Sequence, residues 1–288
     1  MMEINRKGDR KTELWDRIIE GDCLEVMERI EDASVDLILC DLPYGVTNNR
    51  WDTIIDMKRL WGHYKRVIKP RGVIALTGQH AFTARLIMSN LAWFKYKIVW
   101  IKSKAGNFLN ANKQPLRRHE DICIFYNKQP LYQPQKTEGI PYDKGIRQDN
   151  ASGSYGNFKE FPVKNTDGKR YPTDVLCFEE EDIADWVYTS VASDTDGVYH
   201  PTQKPVSLGR WLIRTFTCPG GLVLDNACGS GSFPVAAILE GRHFIGIEKN
   251  DRSFHMGKRV DYIAICLKRI KDAWMQVKQA DLFNNEPF

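Results

Sequence analysis

Val35-Asp36-Leu37-Ile38-Leu39-Cys40-Asp41-Leu42-Pro43-Tyr44-Gly45 is the stretch that sets the reading of the whole chain. Its first six residues are apolar except for Asp36, a density suited to a strand buried on both faces of a parallel sheet. An acid, a fixed bend, an aromatic and a glycine follow. Ligands of open α/β sheets gather beyond the carboxyl ends of such strands, and Asp41 falls there. Pro43 restricts Leu42 to extended geometry, which aims the Leu42 carbonyl. The Asp41 carboxylate, that carbonyl and the Tyr44 ring then form a small polar cup with an aromatic wall. Such a cup suits a flat heterocycle bearing an amino group: two acceptors meet its two N–H bonds while its ring stacks on tyrosine.

On both sides of this stretch strands and helices alternate. Residues 18–24 read as strand, turn and helix start, with Asp22 either capping that helix or serving as a strand-end acid. Residues 51–67 carry a helical period and stop at Lys69-Pro70-Arg71-Gly72. A buried strand at 73–76, a helix at 81–91 and strands at 96–101 and 122–126 follow. The alternation predicts an α/β fold with a doubly wound, mostly parallel sheet. It breaks over residues 128–199, where prolines, glycines and aromatics crowd without a period. A loop this long and this aromatic reads as an inserted recognition segment, with 182–187 an ordered piece of it. Alternation resumes with a helix ending near Phe216, and a last helix is expected over 253–277.

Between them lies Asp225-Asn226-Ala227-Cys228-Gly229-Ser230-Gly231-Ser232, preceded by the strand 222–225 and followed by a helix and the strand 244–248. Strand, glycine loop, helix, strand and acid make a nucleotide-binding unit. The glycines let the backbone approach a ligand, and Glu248 is placed to hold two ribose hydroxyls. A dinucleotide would explain these parts too. The third glycine that packs helix on strand beneath a pyrophosphate is missing, however, because Phe233 and Pro234 stand there.

Asp41-Leu42-Pro43-Tyr44 resembles the Asp/Asn/Ser-Pro-Pro-Tyr/Phe motif of DNA amino-methyltransferases. Leu42 departs from the usual proline at a place where the backbone carbonyl is the functional atom. Asp225 to Gly231 resembles that family's Asp-x-Phe-x-Gly-x-Gly loop, with Ala227 in place of phenylalanine. His200-Pro201-Thr202-Gln203-Lys204-Pro205 is similar to the segment that helps hold the methionine end of S-adenosylmethionine, through His200, Thr202 and Lys204. Asp22 matches, more loosely, the acid near the cofactor adenine. The order of these motifs is that of the family's beta group, a circular permutation of the Rossmann-like methyltransferase fold.

The resemblance implies transfer of a methyl group from S-adenosylmethionine to the exocyclic N(6) amine of an adenine flipped out of double-stranded DNA. Asp41 and the Leu42 carbonyl would polarise the amine, Tyr44 would stack on the base, and Phe125 or Tyr126 would supply the second stacking face. The cofactor set is Asp22, His200, Thr202, Lys204, Asp225, Ala227, Gly229, Ser230, Gly231, Ser232 and Glu248. Aspartate at position 41 favours adenine, since serine is usual in the cytosine-N(4) enzymes. Cytosine, RNA, or a nicotinamide-dependent oxidation on the same sheet are the competing readings. Residues 1–127 and 200–288 are then the two halves of the catalytic domain and 128–199 the target-recognition insertion. Pairing as a homodimer follows from the family. Gln279-Ala280-Asp281-Leu282-Phe283 resembles the peptide by which bacterial replication proteins bind the sliding clamp, the alternative being a fraying helix end.

Composition sets the outer bounds. The 288 residues are 42% hydrophobic and 11% aromatic, enough for one large core with an insertion, and the net charge of +4 is compatible with a polyanionic partner. Basic and aromatic residues interleave over positions 93–118, a mix suited to phosphates and bases. Seven cysteines without a Cys-x-x-Cys pair and six histidines without ligand spacing argue against a disulfide scaffold or a metal site. With no signal segment or membrane span, a cytoplasmic, DNA-associated protein is expected.

Overall fold

The computed structural model describes residues 13–45, 52–147, 161–177, 203–250, 254–255 and 258–284. The larger compact unit comprises residues 1–133 and 174–288, and the smaller Pro134–Thr173.

The larger unit opens with β1 (Arg17–Glu20), turns at Gly21-Asp22 and enters α1 (Cys23–Val26), continued as a 3-10 turn over Met27–Arg29. β2 (Val35–Cys40) follows. α2 (Met57–Val67) starts later than its periodicity suggests, because the Asp56 carboxylate caps it by accepting from the Lys58 and Arg59 amides. β3 (Ile68–Gly78) begins at once, and the Lys-Pro-Arg-Gly stop is absorbed into its first residues. α3 (His80–Ser89) leads into β4 (Phe94–Gly106) and β5 (Arg117–Phe125).

In the smaller unit β6 (Tyr142–Arg147) and β7 (Phe161–Asn165) pair antiparallel. The larger unit resumes with β8 (Val175–Cys177), α4 (Val206–Phe216), β9 (Leu222–Asp225), α5 (Ser232–Leu239), β10 (His243–Glu248) and α6 (Tyr262–Asn284). The expected ordered piece at 182–187 lies outside the described residues.

The eight-stranded sheet has the order β1-β10-β9-β2-β3-β5-β4-β8. It is parallel from β1 to β3, so the chain ends of β1, β10, β9, β2 and β3 share one edge. β5 runs antiparallel to both neighbours. The ten residues between β4 and β5 are too few for a helical crossover, which needs a dozen or more, so a reversed strand is the only route.

Helices cover both faces. Leu37 and Leu39 of β2 point to a core closed by α4, α5 and α6, while Ile38 and Cys40 point to the core under α1, α2 and α3. α4 commits Leu208, Leu212, Ile213 and Phe216 to its core, each worth about 1.5–3 kcal/mol when fully buried. No helix of the described residues is long and apolar enough to cross a membrane.

Candidate active site

A cleft of about 640 Å³ opens at the shared carboxyl edge. Asp22, Asp41, Asp225 and Glu248 all line it, because each ends a parallel strand or lies within two residues of its end. The residues predicted for two different tasks therefore meet in one space.

At one side sits Asp41. Its Oδ1 accepts from the Tyr44 hydroxyl at 2.8 Å and from the Thr77 hydroxyl, and Tyr44 also reaches Thr77 at 2.9 Å. Lys204 donates to its Oδ2 at 2.6 Å. The Tyr44 ring packs on Phe82 with centroids 4.7 Å apart. Burial, with Asp41 and Glu120 adding to it, pushes the Tyr44 phenol well above its ordinary range, so it acts as a neutral donor. Tyr44 thus steadies the acid as well as walling the cup.

At the other side Gly231 caps α5 with φ +83°, and a Cβ there would lie 2.3 Å from Cys266 Sγ of α6. Only glycine lets the loop turn that tightly against that helix. The Gly229 amide donates to Glu248 Oε2 at 2.8 Å and the Asn250 amide to Oε1 at 3.0 Å. A carboxylate has about four acceptor directions, so room remains beside these amides for the donors of a ribose diol. Burial raises the Glu248 pKa, though these amides oppose it. Asp225 is deeper: burial lifts it to about 8, against hydrogen bonds from the Ala227 amide and the Cys40 thiol. Asp22 accepts the Leu24 amide at 2.9 Å as a helix cap and also lines the cleft.

Ser230 and Ser232 are fixed by Arg269 of α6, and Ser230 also donates to Gln203. Ala227, Leu24, Phe233 and Tyr262 give the cleft an apolar wall. A diol acceptor, a tight glycine turn, an apolar wall and a separate amine-accepting acid fit S-adenosylmethionine beside an amino-bearing base.

Lys204, expected at the cofactor, lines the cleft and is bound to Asp41 and Glu120. Phe125 and Tyr126 do not line the cleft: Phe125 is fully buried against Trp61 and Phe94, and Tyr126 packs at the edge of the opposite core. Both follow from the reversal of β5, which puts its end at the far edge of the sheet and its start at the cleft. That same reversal delivers Glu120 and Arg117 to the site; the sequence reading had no role for Glu120 and held Arg117 only as part of the basic stretch 93–118. Thr77 was missed as well, although it closes a strand parallel to β2. His200 and Thr202 lie outside the described residues.

The family described as DNA methylase, the N6/N4 methyltransferases, matches residues 35–259, and the chain belongs to that family. It is therefore a DNA methyltransferase of the S-adenosylmethionine-dependent class. It is 28% identical over 254 residues to the DNA adenine methyltransferase YhdJ of Escherichia coli strain K12, covering 84% of this chain and 81% of that protein. Among solved structures, M1.HpyAVI in complex with SAM superposes with a TM-score of 0.55 at 18% identity, over 88% of this chain and 98% of that one. The cytosine-N4-specific PvuII DNA methyltransferase gives 0.57 at 15% identity, over 90% and 91%. Both share the Rossmann-like fold.

Proposed function

We propose that this chain methylates the exocyclic N(6) amine of adenine in double-stranded DNA. The observation that carries the reading is the single cleft holding Asp41 at one side and the glycine loop with Glu248 at the other. S-adenosylmethionine supplies a methyl group on a sulfonium, an electrophile with a good leaving group already in place. The chain's own work is binding and alignment. Glu248, Asp22 and the loop from Asp225 to Ser232 hold the cofactor. Asp41 and the Leu42 carbonyl accept the two amine hydrogens, localising a lone pair otherwise spread into the ring. The proton leaves after transfer, to Asp41 or to solvent. Adenine rather than cytosine is supported by aspartate at position 41 and by the adenine-specific relative.

The Pro134–Thr173 unit is the proposed reader of flanking DNA. It exposes Ile140, Ile146 and Tyr171, and sets Lys136 over the Tyr171 ring and Arg170 over that of Tyr142. Cations and rings together suit phosphates and bases. Two further partners stay as proposals: a second copy of the chain, to be tested by sedimentation, and a sliding clamp. Gln279 to Phe283 lies in the final turns of α6 with Leu282 exposed. Equal clamp capture by wild type and by a Leu282→Ala/Phe283→Ala variant would remove the clamp.

The deciding experiment incubates unmethylated duplex DNA with methyl-labelled S-adenosylmethionine and separates the nucleosides. Label in N(6)-methyladenine is expected. Label in N(4)-methylcytosine would keep the mechanism and overturn the base, and label only in an RNA control would overturn the polymer.

A further inference from the structure

A chain of alternating charges runs behind the reacting edge: Lys102, Glu120, Lys204, Asp41. Lys102 Nζ lies 3.1 Å from Glu120 Oε1, Lys204 Nζ 3.2 Å from Glu120 Oε2, and Lys204 Nζ 2.6 Å from Asp41 Oδ2. The Lys204 side chain is 6% exposed and that of Glu120 9%. Burial alone would drive the proton off Lys204, but the Asp41 and Glu120 carboxylates outweigh it and hold its pKa above the ordinary lysine value. Burial would likewise raise Glu120, and Lys204 and Lys102 outweigh that. Both stay charged in a place where isolated charges are costly.

The acceptor count on Asp41 shows what this chain accomplishes. A carboxylate offers about four lone pairs, two on each oxygen. Tyr44 and Thr77 approach Oδ1, and Lys204 takes one side of Oδ2. Among the described residues, that leaves one direction on Oδ2 for a donor entering from the cleft. A carboxylate fixed on three sides cannot rotate to meet the base differently. Glu120 in turn keeps the ammonium in place by sharing it, so that Lys204 braces Asp41 without being drawn wholly onto it.

We propose that Lys204, seated on Glu120, is a positioning residue for methyl transfer that orients the Asp41 carboxylate toward the base amine, and not a ligand of the cofactor. This rests on the methyl-transfer reading above. Neither Lys204 nor Glu120 needs to touch the base for the effect to operate.

The test pairs cofactor binding with single-turnover methylation in the full-length protein. Calorimetry with S-adenosylhomocysteine should give Lys204→Met and Glu120→Gln dissociation constants within about threefold of wild type. The single-turnover rate at saturating DNA and cofactor should fall about a hundredfold in Lys204→Met and about tenfold in Glu120→Gln. The double variant should be no slower than Lys204→Met, since both substitutions act on one brace. Lys204→Arg, which keeps the cation, should recover part of the rate. Cofactor affinity reports folding, and if Lys204→Met does not fold, Glu120→Gln and Lys204→Arg carry the test. Loss of S-adenosylhomocysteine affinity in folded Lys204→Met or Lys204→Arg with the saturated rate intact would make Lys204 a cofactor ligand and overturn the proposal. A Glu120→Gln rate equal to wild type would overturn the seat. Failure of the methyl-transfer reading looks different: the wild type itself would then transfer no label to nucleic acid.

Discussion

Asp41 and Asp225 illustrate how neighbours give one residue type two behaviours. Asp41 is surrounded by two hydroxyls and an ammonium and serves as an oriented acceptor. Asp41→Ala should therefore abolish turnover, by about three orders of magnitude or more, while cofactor affinity measured by calorimetry stays near wild type. Asp225, buried and with no cation beside it among the described residues, is lifted from 3.8 to about 8. Its folded pKa exceeds the unfolded one, so its stabilising contribution is complete below about pH 4 and is lost as pH rises toward 8. Asp225→Asn cannot ionise. Relative to wild type, the variant should gain stability across that window, with a slope approaching about 1.4 kcal/mol per pH unit. Urea unfolding at pH 5, 6, 7 and 8 measures it; parallel curves would show that Asp225 is ionised throughout.

Among the elements, the contact between the glycine loop and α6 bears most directly on the site. Gly231→Ala should cost about 1–3 kcal/mol for its left-handed backbone, plus whatever is needed to move Cys266. In a Cys266→Ala background the sulfur is gone, so adding Gly231→Ala should cost less than it does alone. An equal loss in both backgrounds would mean the sulfur contact is relieved at no cost. Element by element, the sequence was legible wherever period and capping act locally. The strand end at Asp41, the loop between β9 and α5, and Glu248 were all readable because each depends on a few adjacent residues. Glu120 and Thr77 were not, because their place at the site depends on how strands order themselves across the sheet. The direction of β5 could have been read from the short link before it. The start of α2 could not be placed from its apolar period, since one aspartate side chain decides it.

At the scale of the molecule, residues 134–173 form a compact unit with its own strand pair and ring–cation contacts. If it reads flanking DNA as proposed, replacing it by a flexible glycine-serine linker should leave S-adenosylhomocysteine binding and the unfolding transition of the larger unit nearly unchanged. Duplex affinity should drop at least about tenfold, by loss of phosphate and stacking contacts. Gel-shift titration beside calorimetry checks both halves, and unaltered duplex affinity would move recognition elsewhere, first to the basic and aromatic residues of β4 and the link that follows it.

The neighbour of β2 in the sheet is also a fact about synthesis. β2 lies between β3 and β9, and the Leu222 amide donates to the Asp36 carboxylate across 186 positions of chain. A ribosome that has delivered β2 to β5 has made the strand end that carries Asp41, yet one whole edge of β2 still has no partner. That edge presents unpaired N–H and C=O groups on a strand of apolar residues, and such edges invite pairing with other chains. The segment that carries the glycine loop thus also supplies the strand that seals the nascent sheet. A chain that stops within the insertion would therefore expose the open edge of β2 and be prone to pair with other chains.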